Sequence, residues 1–516
     1  MYVIEKSKAI VLKLNNPQRV LATVPTAKAW VKNGVDYVVA PHRIKEVGML
    51  RELGIKAPSP ILHYYDWVGQ FTPYDHQRMT SAFLTMNTRA LVLNEIGTGK
   101  TQSALWAADY LISVGAVKKV LILSPLSTLE RVWGDGVFTG LIHRKHVVLH
   151  GTAARRKKLL NTEADFYIIN HDGFNIIRDD IKDMFDLVII DEAAVLRNPS
   201  TSRFKIFHKW LKQHEHMRLW LMTGTPTPND PTDAWALATL VGNQNVSKTY
   251  TGFREQVMMK IGQYKYVPRQ NSMDIVKHTL QPAVRYTRDE CFDLPDTVRQ
   301  TRAVPMTPEQ TKHYQTMMRH LVTEAAVEGT ITAVNEAVKL QKLVQIACGV
   351  AYSDDGQNVE LDCQPRVNAV KEVIQEAGQK VIVFVPLTGT LHMLERELSK
   401  TWSVAVVNGQ VPASKRNTIF QDFQNARDPR VLIAHPATMA HGLTLTSAST
   451  VVWYGPVPSN EQYVQANGRI ERIGKKHTSN VVHIEATQIE HIMYERLANK
   501  QKLQGLLLDL IQKEME

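Results

Sequence analysis

The chain has 516 residues, 44% hydrophobic and 22% charged. That balance is ordinary for a soluble globular protein, and the length exceeds the ~250–300 residues at which single cores usually split into domains. Lys and Arg number 61 against 50 Asp and Glu, a formal net charge of +11, which suits a polyanionic partner because clustered cations attract phosphates.

Three cysteines, Cys291, Cys348 and Cys363, stand in no close metal-ligand spacing, so a disulfide framework and a zinc module are excluded and a reduced cytoplasmic chain is expected. The opening MYVIEKSKAIVLKL mixes charges among its apolar residues, unlike a signal peptide. No apolar run reaches the ~20 residues of a membrane helix.

Residues 1–70 carry ten Lys and Arg against five Asp and Glu. Short β-rich runs at Ala9–Leu14, Arg19–Thr23 and Tyr37–Val39 predict a small basic α+β accessory module. A helical stretch at Ile44–Leu53 stops at Gly54, with Pro58 and Pro60 as a boundary. Such a module either touches DNA or presents a solvated charged surface.

From Phe71 onward, apolar runs alternate with helical segments: Ala90–Leu93, Val120–Leu123, Phe166–Ile169, Leu187–Ile190 and Leu219–Met222. Near-continuous Val, Ile and Leu runs bounded by turn residues predict parallel strands buried on both faces. A second set follows at Val381–Val385, Ser403–Val407, Val431–Ala434, Thr450–Tyr454 and Asn480–Ile484. Residues 230–350 between the sets are expected to be mostly helical, with a helix start at Thr307-Pro308-Glu309-Gln310. The expected organisation is the accessory module at 1–70, a first α/β lobe at 71–290 and a second at 291–516, each lobe with a helical insertion.

The run Ala90–Leu93 leads into Asn94-Glu95-Ile96-Gly97-Thr98-Gly99-Lys100-Thr101 and then a helical segment. Strand, glycine-containing loop and helix in that order form a phosphate-binding loop. Gly97 and Gly99 let backbone N–H groups, that of Thr98 included, curl around phosphate oxygens. Lys100 supplies charge to the outer phosphates and Thr101 a hydroxyl for Mg²⁺. Asn94 replaces the usual first glycine. The run Leu187–Ile190 ends in Asp191-Glu192, where one carboxylate can hold the metal and the next can deprotonate the attacking water. Asp191 is assigned to Mg²⁺ and Glu192 to the base, so the chain reads as a nucleoside triphosphatase.

Over roughly residues 71–505 the chain resembles the Swi/Snf-type ATPases of helicase superfamily 2, in the style of compact phage-encoded members. Pro73-Tyr74-Asp75-His76-Gln77 is similar to the element whose Gln reads adenine, here Gln77. Leu121–Ser127 and Trp133 resemble the next motif, which puts Ser124, Pro125 and Leu126 on the nucleic-acid backbone. DEAAVLRN at Asp191–Asn198 and LMTGTPTPN at Leu221–Asn229 resemble two further motifs, the second of which couples hydrolysis to DNA contacts and points to Thr223 and Thr225.

In the second lobe Gly409, Arg416, Phe420 and Phe423 fall as in the family. Ala440–Leu445 resembles a DNA-facing motif and points to His441 and Gly442. Gln465–Gly474 is similar to the family's Q-x-x-G-R-x-x-R-I-G. Arginines on a separate lobe reach a γ-phosphate when the lobes close, an effect worth on the order of 10³–10⁵ in rate. By that resemblance Arg469 and Arg472 stabilise the transition state and Gln465 positions them. Arg285–Arg288, Asp293–Pro295, Gln310 and Tyr314 also fall as in the family's linker and following helix. Ala194 departs from the usual His, and Ala440 and Thr444 from the usual Gly and Asn, which bears on coupling.

The resemblance implies two RecA-like parallel-sheet lobes of the P-loop NTPase type, ATP and Mg²⁺ as cofactors, and DNA as partner, duplex, forked or branched. It further implies stepping along DNA for branch migration, fork remodelling or displacement of bound proteins, beside replication or recombination proteins. An RNA-directed helicase and a non-catalytic nucleotide- or DNA-binding scaffold are the alternatives. The helical insertions speak against the first, and the intact Lys100, Asp191, Glu192, Arg469 and Arg472 against the second.

Overall fold

In the computed structural model the described residues are 1–227, 230–261, 266–292, 297–328, 333–352, 358–439, 445–470 and 478–499. They divide into two units, Met1–Cys291 and Phe292–Glu516.

The first unit begins with an antiparallel sheet in the order β1-β2-β4-β3, built from β1 (Tyr2–Ile4), β2 (Ala9–Leu12), β3 (Lys28–Lys32) and β4 (Val35–Pro41). The hairpin between β3 and β4 turns at Asn33 and Gly34, both at positive φ (50° and 75°), the backbone a tight two-residue hairpin requires. Ile10, Leu12, Val38 and Ala40 form one core with Val20 and Val24 and with Val47 and Leu50. Those last pairs bring in α1 (Pro17–Thr23) and α2 (Ile44–Glu52).

Residues Arg19–Thr23 are thus helical, not extended as their composition suggested. Pro17 sits at the first helical position, where its fixed φ favours a helix, and Val20 within the helix and Val24 just past its end both join the core. The predicted stop of α2 at Gly54 holds, with φ 83° there.

After α3 (Ile61–Tyr64) and α4 (Asp75–Met86) comes the main sheet of this unit, with α5 (Lys100–Ser113) on its surface. Its strands are β5 (Arg89–Val92), β6 (Val120–Ser124), β7 (His146–Val148), β8 (Phe166–Asn170), β9 (Leu187–Ile190) and β10 (Arg218–Met222). A small hairpin, β11 (Met258–Lys260) and β12 (Tyr266–Pro268), precedes the last strand, β13 (Ala283–Val284). The order is β13-β5-β10-β9-β6-β8-β7, parallel throughout. The Leu187–Ile190 and Leu219–Met222 runs are fully buried, because a sheet covered by helices on both faces leaves neither side to water.

The second unit repeats this architecture. It contains β14 (Thr297–Ala303), a hairpin of β15 (Val350–Tyr352) and β16 (Asn358–Glu360), β17 (Lys380–Phe384), β18 (Val404–Val407), β19 (Val431–Ala434), β20 (Ala448–Trp453) and β21 (Ser479–Glu485). The main order is β14-β21-β20-β17-β19-β18, again parallel.

The stretch 230–350 holds helices at Ala234–Val241, Tyr250–Val257, Ser272–Thr279, Pro308–Glu328 and Ala333–Ala347, but also β11 to β14. The helix at Pro308 starts as expected: the Gln310 N–H donates to Thr307 Oγ1 (3.3 Å) and the Thr307 N–H to Gln310 Oε1 (3.1 Å). No described helix is long and apolar enough to cross a membrane.

Candidate functional site

In the first unit the loops that follow β5, β10, β9 and β6 leave the carboxyl edge of adjacent parallel strands, where open α/β sheets place their ligands. The loop after β5 carries Gly97 at φ 89° and Gly99 at φ 78°, left-handed positions that only glycine occupies without strain. A Cβ on Gly99 would lie 2.0 Å from Gln77 Nε2.

That amide is held from both ends. Its Nε2 donates to Thr98 O (3.4 Å), and its Oε1 accepts from the Tyr74 N–H (3.0 Å) at the start of α4. His76 also bonds Thr98 O through Nε2 (2.8 Å). With the Thr98 carbonyl engaged on the α4 side, the loop's conformation is pinned by two side chains from another helix.

Asn94, the departure from the usual glycine, has a structural role. Its Nδ2 donates to Thr80 Oγ1 (3.0 Å) and its Oδ1 accepts from the Tyr286 N–H (3.0 Å). It ties the loop to α4 and to the chain beyond β13. Glu95 adds a second tie, accepting from the Arg288 N–H (3.2 Å). Lys100 Nζ lies against the loop backbone, donating to Asn94 O (2.8 Å) and Glu95 O (3.1 Å). Half-buried Thr101 follows it in the first turn of α5.

Two strands away, Asp191 directly follows β9. Its N–H continues the ladder to Leu123 O (2.8 Å). Its Oδ2 accepts from Trp133 Nε1 (3.0 Å) and its Oδ1 from the Glu192 N–H (3.0 Å). His171 Nε2 donates to the Asp191 carbonyl (2.8 Å). Burial is the main cause that lowers the His171 pKa, the Asp191 hydrogen bond partly opposing it, so the ring is neutral near pH 7 and donates as the Nε2–H tautomer. Glu192 adopts φ 47°, ψ 50°, a left-handed conformation costing a non-glycine residue about 1–2 kcal/mol. Such strain concentrates at functional turns. Ala193 and Ala194 after it are buried.

The loop after β10 touches the phosphate loop directly. The Thr223 N–H donates to Val92 O (3.0 Å), and the Thr225 N–H to Thr223 Oγ1 (3.2 Å). A Cβ on Gly224 would meet Ile96 Cγ1 at 3.3 Å and Asn94 O at 3.5 Å. Ser124 is buried at the end of β6, while Leu126 beyond Pro125 is exposed. The structure therefore gathers Gln77, Gly97, Thr98, Gly99, Lys100, Thr101, Asp191, Glu192, Ser124, Pro125, Leu126, Thr223 and Thr225 along one sheet edge or its supporting helix. In the sequence Trp133 stands out only as part of a motif, and His171 not at all. Neither's bond to Asp191 leaves a mark in sequence spacing.

In the second unit Gln465 lies on the helix Asn460–Asn467, its Nε2 donating to Glu461 Oε1 (3.3 Å). Arg469 follows, 1% exposed, its carbonyl accepting from the Leu445 N–H (3.0 Å). Gly409 is exposed just after β18. Arg472, His441, Gly442 and Asp293–Pro295 lie outside the described residues.

Sequence reasoning missed a buried ion pair here. Arg366 Nη2 donates to both Glu490 oxygens (2.8 Å each), with the side chains 2% and 0% exposed. Arg366 Nη1 donates to Tyr454 O and to Ile484 O (3.3 Å). The pair thus holds the turn after β20 and the end of β21, the strands around the predicted second-lobe motifs.

The SNF2-related domain family matches residues 61–348, and the helicase conserved C-terminal domain matches residues 365–474. The chain belongs to the SNF2-related family. It is accordingly an enzyme of the helicase type, a nucleic-acid-dependent ATPase that uses ATP. Protein p41 of Acyrthosiphon pisum secondary endosymbiont phage 1 is 27% identical over 482 residues, covering 86% of this chain and 99% of p41. A Mycoplasma genitalium protein designated an uncharacterized ATP-dependent helicase is 26% identical over 80% of this chain, which spans 40% of it. The Saccharomyces cerevisiae nuclear protein STH1/NPS1 is 24% identical over 92% of this chain, which spans 36% of it. Among solved structures, the Sulfolobus solfataricus SWI2/SNF2 ATPase core in complex with dsDNA aligns with a TM-score of 0.41 at 19% identity, covering 84% of this chain and 92% of that one.

Proposed function

We propose that this SNF2-related chain couples ATP hydrolysis to movement along duplex DNA. The observation that carries the reading is the direct packing of the Thr223–Thr225 loop on the phosphate loop, where Gly224 lies against Ile96 and the Asn94 carbonyl. A change of shape at the nucleotide reaches a neighbouring loop without any intermediary.

Gly97, Thr98 and Gly99 present backbone N–H groups to phosphate oxygens, and Lys100 adds charge to the outer phosphates. Mg²⁺ supplies charge neutralisation on those phosphates. Thr101 and Asp191 would hold it, and one hydroxyl with one carboxylate suits an ion that keeps waters and takes phosphate oxygens. Among the described residues no group of three or more His, Cys, Asp and Glu forms an all-protein metal cage. Trp133 and His171 keep Asp191 in place from its side chain and its carbonyl. Glu192 accepts a proton from water as the water oxygen bonds the γ-phosphorus and the bond to the β-phosphate oxygen breaks, releasing ADP and phosphate.

Arg469 and Arg472, positioned by Gln465, stabilise the charge on the transferring group, and Gln77 recognises adenine. Backbone contacts through Ser124, Pro125, Leu126, Thr225, Gly409, His441 and Gly442 grip phosphates, so sequence preference is slight and salt sensitivity strong. Stepping of this kind serves branch migration, fork remodelling or displacement of bound proteins, beside replication or recombination proteins.

The test is the ATPase rate without nucleic acid and with duplex, single-stranded and forked DNA and RNA. Stimulation by duplex or forked DNA, lost in Lys100→Ala, is expected. Preferential stimulation by RNA overturns the substrate, and no stimulation by any of them overturns the motor.

A further inference from the structure

The N-terminal sheet lies ahead of the SNF2-related match, which starts at residue 61. Its two faces differ in chemistry. Ile10, Leu12, Val38 and Ala40 turn inward to α1 and α2. Residues between them in the strands face the other way, since side chains alternate across a strand.

On that outward face β3 presents Lys28, Trp30 and Lys32, and the register sets them opposite Val39, Tyr37 and Val35 of β4. Trp30 and Tyr37 are half-buried neighbours with ring centroids 5.6 Å apart. Lys32 Nζ stands 5.5 Å from the Trp30 ring centroid, and both lysines are exposed. The hairpin's acidic residue, Asp36, pairs with Val31 and so points to the opposite face. The strand β3 is also the sheet's edge.

We infer that this face is a binding platform for an unpaired DNA strand, with bases stacking on Trp30 and Tyr37 and phosphates held by Lys28 and Lys32. Two large aromatic surfaces flanked by cations, with the nearby carboxylate turned away, suit a ligand that is apolar and flat on its bases and anionic on its backbone. A duplex hides its base faces and offers only the phosphates. The charge of the surrounding segment agrees, since residues 1–70 hold ten Lys and Arg against five Asp and Glu. A single-strand site on this module goes beyond the duplex motor proposed above and stands without it. It would anchor the enzyme where duplex gives way to single strand.

The experiment uses the full chain without nucleotide and follows fluorescence anisotropy of a labelled oligothymidylate. Trp30→Ala/Tyr37→Ala is expected to weaken binding on the order of tenfold or more. Trp30→Phe/Tyr37→Phe, which keeps the rings, is expected to retain most of it and to serve as the folding control. Lys28→Ala/Lys32→Ala should lower the slope of log affinity against log salt by about 1.4, the value for two phosphates on a single strand. Duplex affinity and duplex-stimulated ATPase should be unchanged in all three. Unaltered oligothymidylate affinity in Trp30→Ala/Tyr37→Ala overturns the inference. So does an equal loss of duplex affinity, or a loss confined to an RNA oligomer. Because the oligothymidylate titration itself contains no ATP, failure of the motor reading leaves its result interpretable.

Discussion

Replacing Gly99 by Ala separates two costs that the structure places at one atom. The first is backbone strain: at φ 78° an L-residue costs about 1–2 kcal/mol. The second is a collision, because the new Cβ would lie 2.0 Å from Gln77 Nε2. Only the end of the Gln77 side chain must move, but moving it gives up the bonds to Thr98 O and from the Tyr74 N–H. At a net ~0.5–1.5 kcal/mol per hydrogen bond, and with the 3.4 Å contact at the weak end, that adds about 1–2 kcal/mol. Gly99→Ala should therefore cost about 2–4 kcal/mol in the native background and only the strain, about 1–2 kcal/mol, in Gln77→Ala. The assay is a double-mutant cycle on urea unfolding of the ATP-saturated protein, which captures the cost whether it appears as lost stability or lost nucleotide affinity. A coupling of about 1–2 kcal/mol is expected. Equal costs for Gly99→Ala in both backgrounds would refute the role given to Gln77 as the prop of the phosphate loop.

Glu192→Gln should cut steady-state hydrolysis on the order of 10²–10⁴-fold while ATP affinity, measured by equilibrium titration, stays near the native value. Trp133→Phe keeps most of the ring but removes the N–H that fixes Asp191 Oδ2. It should raise the Mg²⁺ concentration for half-maximal ATPase, and an unchanged Mg²⁺ curve would show that Asp191 does not depend on it. Arg366→Met leaves Glu490 buried without its cation and should destabilise the protein by roughly 3–5 kcal/mol in urea. Arg366→Met/Glu490→Leu should recover most of that, because no charge is then stranded.

His483 is buried, bonded through Nε2 to Tyr463 OH (2.9 Å), and its pKa is lowered to about 4, first by burial and then by Arg299. The folded state refuses a proton that the unfolded chain accepts below its ordinary value of about 6.5. Stability is therefore held above about pH 6.5 and falls by about 3 kcal/mol as pH drops toward 4. His483→Gln should flatten that part of the pH–stability curve, and an unaltered curve would assign the acid sensitivity to other groups.

Much of the fold could be read from residue order alone because its signals are local. Runs such as Leu187–Ile190 and Val431–Ala434 are apolar at every position, and a strand buried on both faces needs no further information. The phosphate loop was equally visible, since its glycines and lysine fall together within Gly97–Lys100 and their chemistry is set by backbone geometry. Thr307 and Gln310 announced a helix start for the same reason.

What failed to show was decided by partners far along the chain. The segment Thr297–Ala303 fell within a stretch expected to be mostly helical, yet TVRQTRA is β14, paired along its whole length with β21. It sits at a sheet edge and has no continuous apolar run to betray it. Composition made Arg19–Thr23 look extended, but the core beneath the N-terminal sheet takes Val20 from the buried side of a helix and Val24 from the residue that ends it.

The site divides the same way. The order of residues by itself pointed to the groups proposed to carry the chemistry: the loop at Gly97–Thr101 and the carboxylates of Asp191 and Glu192. Only the tertiary structure decided what holds them. It brought Gln77 and His76 to Thr98, Asn94 to Thr80, and Trp133 and His171 to Asp191. Catalytic groups cluster on loops whose backbone must be consecutive, whereas their supports need only a hydrogen-bond distance in space, and that distance exists only once the sheets have assembled.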